Sequence, residues 1–242
     1  PVMLGDSDGW PAGHNVALKQ GWFVPIEDSN AWVYNVPGST YDTEGHRMAA
    51  QEFIDWAKNG YYNSDALAIS FNDAVARFGA GEAAFYIGGT WALADIESYL
   101  GDKAGFMLFP AAEDGMHAAV GGYSLPFAVS SKTEHPACAV ALLDFITTSQ
   151  EAIDAQVAAG RVAAVKAGAE AEISSPLLQE EAVQYEILSA DNGLMTWTDW
   201  PTPTMFDLMN AQHQLLFGGQ ITPEQYTQTI QADWEEFMAD RE

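Results

Sequence analysis

The chain has 242 residues, 48% of them hydrophobic, which is enough to bury a sizeable core and too apolar for a disordered segment. Its formal net charge is −25, from 34 acidic and 9 basic residues. That balance argues against nucleic acid and anionic membrane surfaces as partners, because both need a basic footprint, and it reads as a solubility feature. The single cysteine, Cys138, rules out an internal disulfide. It lies in the apolar stretch PACAVALLDFI and is expected to be a small buried hydrophobe. No apolar run reaches the length of a membrane span.

The opening PVMLGDSDGW has no basic region followed by an apolar core, so it is not a signal peptide; it reads as a strand running into a loop. Residues 41–60 predict a helix, with Ala49, Phe53, Trp56 and Ala57 at helical spacing and Asn59-Gly60 as the stop. FNDAVARF (71–78) is a shorter helix closed by Gly79 and Gly81. AAFYI (83–87) reads as a compact strand, broken by Gly88-Gly89, after which Thr90 is placed to cap a helix from Trp91 to about Leu100. GFMLFP (105–110) and YSLPFAVS (123–130) are further apolar strands. Pro136 opens a helix to about Thr147, a second short helix ends at Gly160, and Ser175-Pro176 starts another to about Ala190. DNGLMTWTDWPTP (191–203) is turn-rich and carries two tryptophans. A helix follows from about Thr204 to Phe217, stopped by Gly218-Gly219. Thr222-Pro223-Glu224-Gln225 is a capping box that launches a last amphipathic helix to about Ala239. Apolar strands alternating with more abundant helix predict α/β architecture.

Recognisable catalytic spacing is absent. His14, His46, His117, His135 and His213 form no metal-ligand pattern, and there is no CxxC, GxSxG, P-loop or dinucleotide fingerprint. No metal and no cofactor is expected. A glycosidase would need two opposed carboxylates, for which Asp8 and Asp199 are the pair to watch.

Three segments resemble one family in order along the chain. FGAGEAAFYIGGTWAL (78–93) is similar to the pattern F-x-x-G-x-A-A-M-x-x-x-G-x-W, with Phe85 in place of the usual Met. VGGYSLPFAVSSKTEHPACAVALLDFITTSQEA (120–152) and LLFGGQITPEQYTQTIQADWEEF (215–237) follow the same order, and LGDSDGWPAGH resembles a ligand loop. Together they resemble the extracellular solute-binding proteins of carbohydrate ABC importers, the family that includes maltose-binding protein. The resemblance implies a periplasmic-binding-protein-like (type II) two-lobe α/β fold, with most of the first lobe missing from this chain. It assigns residues 1–115 to the second lobe, 116–164 to a crossover segment belonging to the first lobe, and 165–242 to the closing part of the second.

The implied function is capture of a mono- or oligosaccharide between two lobes for import, without catalysis. The alternatives are binding of a polyol or glycerol phosphate or, from another class, a glycoside hydrolase or lectin-like module. The implied location is extracytoplasmic: the periplasm, or lipid-anchored on the outer face of the membrane. The implied partners are the sugar and the membrane permease subunits, with self-association or a complementary fragment following from the missing lobe. Sugars present apolar C–H faces and polar rims, so flat aromatics and carboxylates are the residue types expected to meet them. On this basis the ligand-binding candidates are Asp8, Trp10, Trp91, Gly121, Gly122, Tyr123, Trp197, Asp199 and Trp200. Phe206 is an alternative late aromatic; Trp22, Trp32, Trp56 and Trp234 are expected to pack, and Glu82 to be solvated.

Overall fold

The computed structural model describes residues 1–121, 127–159, 161, 173 and 175–241. The chain divides into two compact units. The first comprises Pro1–Gly88, Leu108–Gly122 and Tyr185–Glu242; the second comprises Gly89–Met107 and Tyr123–Gln184.

The first unit holds the main core. Strand β1 (Val2–Met3) pairs in parallel with β2 (Phe85–Tyr86), Val2 opposite Phe85. Helices α1 (Pro11–Phe23) and α2 (Ile26–Val33) follow β1, then α3 (Glu44–Lys58) and α4 (Phe71–Gly79). Strand β3 (Ala119–Gly121) pairs in parallel with β4 (Leu194–Thr196), Gly121 opposite Thr196. Helices α9 (Met205–Phe217) and α10 (Pro223–Ala239) close the unit. Phe53, Trp32, Tyr41, Met205, Met209, Leu216, Tyr226 and Ile230 are each at most 1% exposed, and α1, α3, α9 and α10 pack around them.

Local signals explain most of these elements. The Thr43 hydroxyl accepts the His46 amide at the start of α3, and Gly60 follows its end in a left-handed conformation (φ 69°). Ser70 with Asp73, and Thr222 with Gln225, form reciprocal capping boxes on α4 and α10. Helices α1 and α2 were not anticipated by the sequence reading, and neither were β3 and β4. The buried face of α1 includes Asn15, Lys19 and Gln20, which hides its apolar period.

The second unit contains α5 (Leu93–Leu100), α6 (Pro136–Thr148), α7 (Gln150–Ala158) and the first part of α8 (Pro176–Ala190). Its buried apolar residues include Leu93, Ile96, Ile153, Leu177 and Leu178. The Ser175 hydroxyl accepts the Leu178 amide and donates to Glu97.

Several sequence expectations are corrected here. Thr90 does not cap the helix after it: a 3₁₀ turn, Thr90–Ala92, starts at that residue, and no side-chain cap forms. Residues 105–110 are not a strand. Phe109 stacks on Trp22 at 4.7 Å, while Met107 is exposed. The strand at 83–87 shrinks to two residues, and Phe85 is exposed. Of the strand placed at 123–130, residues 127–130 are irregular and the remainder lies outside the described residues, as does Gly160. Cys138 is exposed, because α6 buries none of its side chains among the described residues. The packing roles of Trp32 and Trp234 hold, and Glu82 is exposed and paired with Arg77 at 2.7 Å.

Candidate functional site

Two loops of the first unit carry three of the predicted aromatics, Trp10, Trp197 and Trp200. The loop at 6–10 hangs on Asp6, a fully buried residue. Its Oδ1 accepts the Ala12 amide at 2.7 Å in the first turn of α1, and its carbonyl accepts Gln214 Nε2 at 2.8 Å. Burial raises the Asp6 carboxyl from 3.8 to about 6, partly opposed by the Ala12 amide. Gly9 turns the chain at φ 85°, a conformation that favours glycine, and delivers Trp10 to the mouth of α1. Asp8, exposed, uses one carboxylate oxygen to accept the Phe71 amide at 2.7 Å, at the start of α4.

The loop at 197–204 is fixed at both ends. Before it, the Asn30 side chain of α2 bonds the edge of β4, accepting the Thr196 amide at 2.7 Å and donating to the Leu194 carbonyl at 3.2 Å. This amide takes the place of a neighbouring strand. After it, the Thr202 and Thr204 hydroxyls both donate to Asp233, at 2.6 and 2.7 Å. A turn-rich segment is thereby held still, with Trp197 and Trp200 6.2 Å apart and tilted by 31°.

A series of rings results. Phe71 lies 4.9 Å from Trp10, Trp10 lies 5.3 Å from His14, and His14 lies 5.4 Å from Trp197. His14 meets both indoles edge-on, at 83° and 85°. At the base is a depression of about 20 Å³ lined by Trp10, Gly13, His14, Trp197, Asp199 and His213, among others. A larger hollow of about 540 Å³ lies between α9 and α10, lined by Gln212, Leu215, Ile221, Gln225, Gln228, Thr229 and Ala232. It is open and offers no aromatic face, so it lacks what stacking on a sugar requires.

Among the described residues, one carboxylate and no Lys or Arg line the depression. Burial raises Asp199 above the usual carboxylate range. Burial pulls His14 down to about 4 and His213 to about 3, the latter with help from His14, so both imidazoles are neutral near pH 7. Lys19, on the same helix as His14, is enclosed elsewhere. Its ammonium lies 3.7 Å from the Trp56 ring centroid and 3.2 Å from the Tyr62 hydroxyl.

Of the predicted site residues, Trp10, Trp197 and Asp199 line one depression. Gly121 is joined to the same region through its pairing with Thr196, the residue before Trp197. Trp200 is exposed beside Trp197, and Phe206 is exposed on α9. Trp91 belongs to the second unit, where its indole lies so close over Gly89 that a β-carbon there would meet it at 2.1 Å. Gly122 and Tyr123 lie outside the described residues. The sequence reading missed Gly13, His14 and His213. His14 sits four residues after Trp10, a helical spacing that could have flagged it; His213 is distant in sequence and only the fold brings it in.

Among the described residues, no group of three or more His, Cys, Asp or Glu side chains could hold a metal ion, and no helix is long and apolar enough to cross a membrane. No curated protein matches the chain. Solved structures do. A chitin oligosaccharide binding protein aligns at 22% identity and a TM-score of 0.81, covering 98% of this chain. A sugar transporter from Bacillus licheniformis, solved with stachyose, aligns at 17% identity and 0.71, covering 96%. The maltose-maltodextrin binding protein of Alicyclobacillus acidocaldarius aligns at 19% identity and 0.68, also covering 96%. The chain spans about 60% of the length of these structures. The shared fold is the periplasmic-binding-protein-like α/β fold. Residues 3–183 match the profile of the family described as bacterial extracellular solute-binding protein, and the chain belongs to that family.

Proposed function

We propose that this chain is part of the substrate-binding component of an ABC importer and that its ligand is a sugar, captured between two lobes and released unchanged. The observation that carries the reading is the series of rings from Phe71 through Trp10, His14 and Trp197 to Trp200, with Asp199 at its base. Stacked rings accept the C–H faces of pyranoses and the carboxylate accepts hydroxyls. Several rings in series offer more stacking surface than one pyranose covers, which favours an oligosaccharide. The neighbours solved as chitin oligosaccharide, stachyose-complexed and maltodextrin proteins support the same class. Trp91, Asp8, Gly121, Gly122 and Tyr123 are proposed as further contacts on the family resemblance. The lining among the described residues, with Asp199 and no Lys or Arg, suits hydroxyls better than a phosphate.

The proposed setting is extracytoplasmic, periplasmic or lipid-anchored, with permease subunits as the protein partners. Calorimetric titration of the full-length protein with raffinose, stachyose, maltotriose and triacetylchitotriose tests the reading. Micromolar or tighter binding of at least one sugar, with no reducing sugar released, is the expected result. Turnover that disappears in Asp8→Asn or Asp199→Asn would instead establish a glycosidase.

A further inference from the structure

We propose that Asn210 is a ligand-binding residue, its side-chain amide hydrogen-bonding the hydroxyls on the edge of the sugar ring that stacks at Trp10. The proposal rests on the sugar reading and names a residue that reads the polar rim of the sugar.

One face of α9 runs from solvent into the depression. Phe206 at its start is 45% exposed, Asn210 one turn later is half-buried, and His213 after it is 4% exposed. Asn210 and His213 both line the depression together with Trp10 and Trp197. The Nδ1 atom of His213 is buried, whereas the amide of Asn210 keeps surface open to solvent. Asn210 is therefore the hydrogen-bonding side chain of this face that a ligand lying on the rings can reach.

The same face is locked to the loop that carries Trp10. Gln214, one turn after Asn210, donates from its amide to the Asp6 carbonyl at 2.8 Å. Asn210 lies directly against Gly9. A β-carbon at residue 9 would meet Asn210 Cβ at 3.2 Å, Cγ at 3.6 Å and Nδ2 at 3.8 Å. Gly9 immediately precedes Trp10, so the fold holds the Asn210 amide beside the backbone that delivers the indole.

The two amides on this face differ in what they do. That of Gln214 is spent on the loop, while that of Asn210 makes no hydrogen bond among the described residues. Asparagine also gives α9 little, because it forms helix less readily than Leu, Ala or Gln and competes for backbone hydrogen bonds. A polar side chain that serves neither the helix nor the core, set beside a stacking ring, has its use in a ligand.

The chemistry suits that use. An indole takes the C–H face of a pyranose, and the hydroxyls project from the edge of the ring it covers. A carboxamide offers N–H donors and a carbonyl acceptor side by side, so it serves hydroxyls whichever way their protons point. It is uncharged, and a neutral sugar supplies no counter-charge.

The test uses calorimetry on the full-length protein with whichever of raffinose, stachyose, maltotriose or triacetylchitotriose binds most tightly, together with its singly deoxygenated derivatives. Asn210→Leu removes the amide while keeping a side chain packed against Gly9. It is expected to melt no lower than the wild type and to bind the sugar about three- to tenfold more weakly. At least one deoxy derivative is expected to bind the wild type more weakly by a similar factor and to show no such loss against Asn210→Leu. Asn210→Ala, read the same way, takes its place should leucine disturb the loop. Wild-type affinity in both variants, or deoxy losses that are equal in wild type and variants, overturns the assignment of Asn210 while leaving the sugar reading intact. If none of the four sugars binds the wild type, the sugar reading fails and the assignment fails with it.

Discussion

Helices α6 and α9 are both 13 residues long, and α6 is the more apolar of the two. Yet α9 buries Met205, Met209, His213 and Leu216, whereas α6 leaves Val140, Leu142 and Phe145 more than half exposed. The difference lies in their surroundings. Helix α9 is packed by α1, α3 and α10, whereas among the described residues α6 packs on α7. An apolar sequence becomes core only where other elements cover it.

The largest effect that would sharpen this contrast is a pair of truncations. Met209→Ala should cost about 2–5 kcal/mol in denaturant unfolding, while Leu142→Ala on this chain should change stability by about 0.5 kcal/mol or less. Equal losses would break the comparison.

The first unit also buries a carboxylate, and its linkage has a definite sign. Asp6 is held at about 6 against an ordinary 3.8. Between those values the folded chain keeps a proton that the unfolded chain has released, so stability falls as pH rises through the window. Asp6→Asn should therefore stabilise the fold by about 1–3 kcal/mol above pH 6 and give no gain below about pH 4. Thermal melts across this range check it; a gain that is the same at both ends would contradict the burial argument.

The smallest effect on stability, and the most direct test of the uncovered face, is Leu142→Glu with Phe145→Glu. The melting temperature of this chain should hardly move, while self-association measured by light scattering should decrease. The exposed apolar face is the physical reason. Unchanged association would locate the sticky surface elsewhere.

Where local chemistry dictates structure, the sequence was readable. The spacing of Ala49 and Phe53, the Ser70–Asp73 and Thr222–Gln225 caps, and Pro136 and Pro176 at helix starts all have their expected places. Helix α1 was missed because its buried face is built from polar groups that find partners only in the fold: Lys19 against Trp56 and Tyr62, Gln20 against Tyr41. Strands β3 and β4 were missed because three-residue pairs leave no alternation to detect. At the site, Trp10, Trp197 and Asp199 were visible as aromatics and a carboxylate in Gly- and Pro-rich loops. The burial of His213, whose Nδ1 has no hydrogen-bond partner among the described residues, is a product of tertiary structure and has no sequence signature.

The central claim is that the aromatic series on the first unit is a sugar-binding surface. Calorimetry on the full-length protein with its tightest sugar, comparing Trp10→Ala and Trp197→Ala with Trp22→Phe, tests it most directly. Trp22 stacks on Phe109 and donates to the Pro110 carbonyl at 2.7 Å, away from the depression. Loss of one stacking ring should weaken binding about three- to tenfold in each of the first two variants and leave Trp22→Phe at wild-type affinity. Unchanged affinity in both Trp10→Ala and Trp197→Ala would contradict the account.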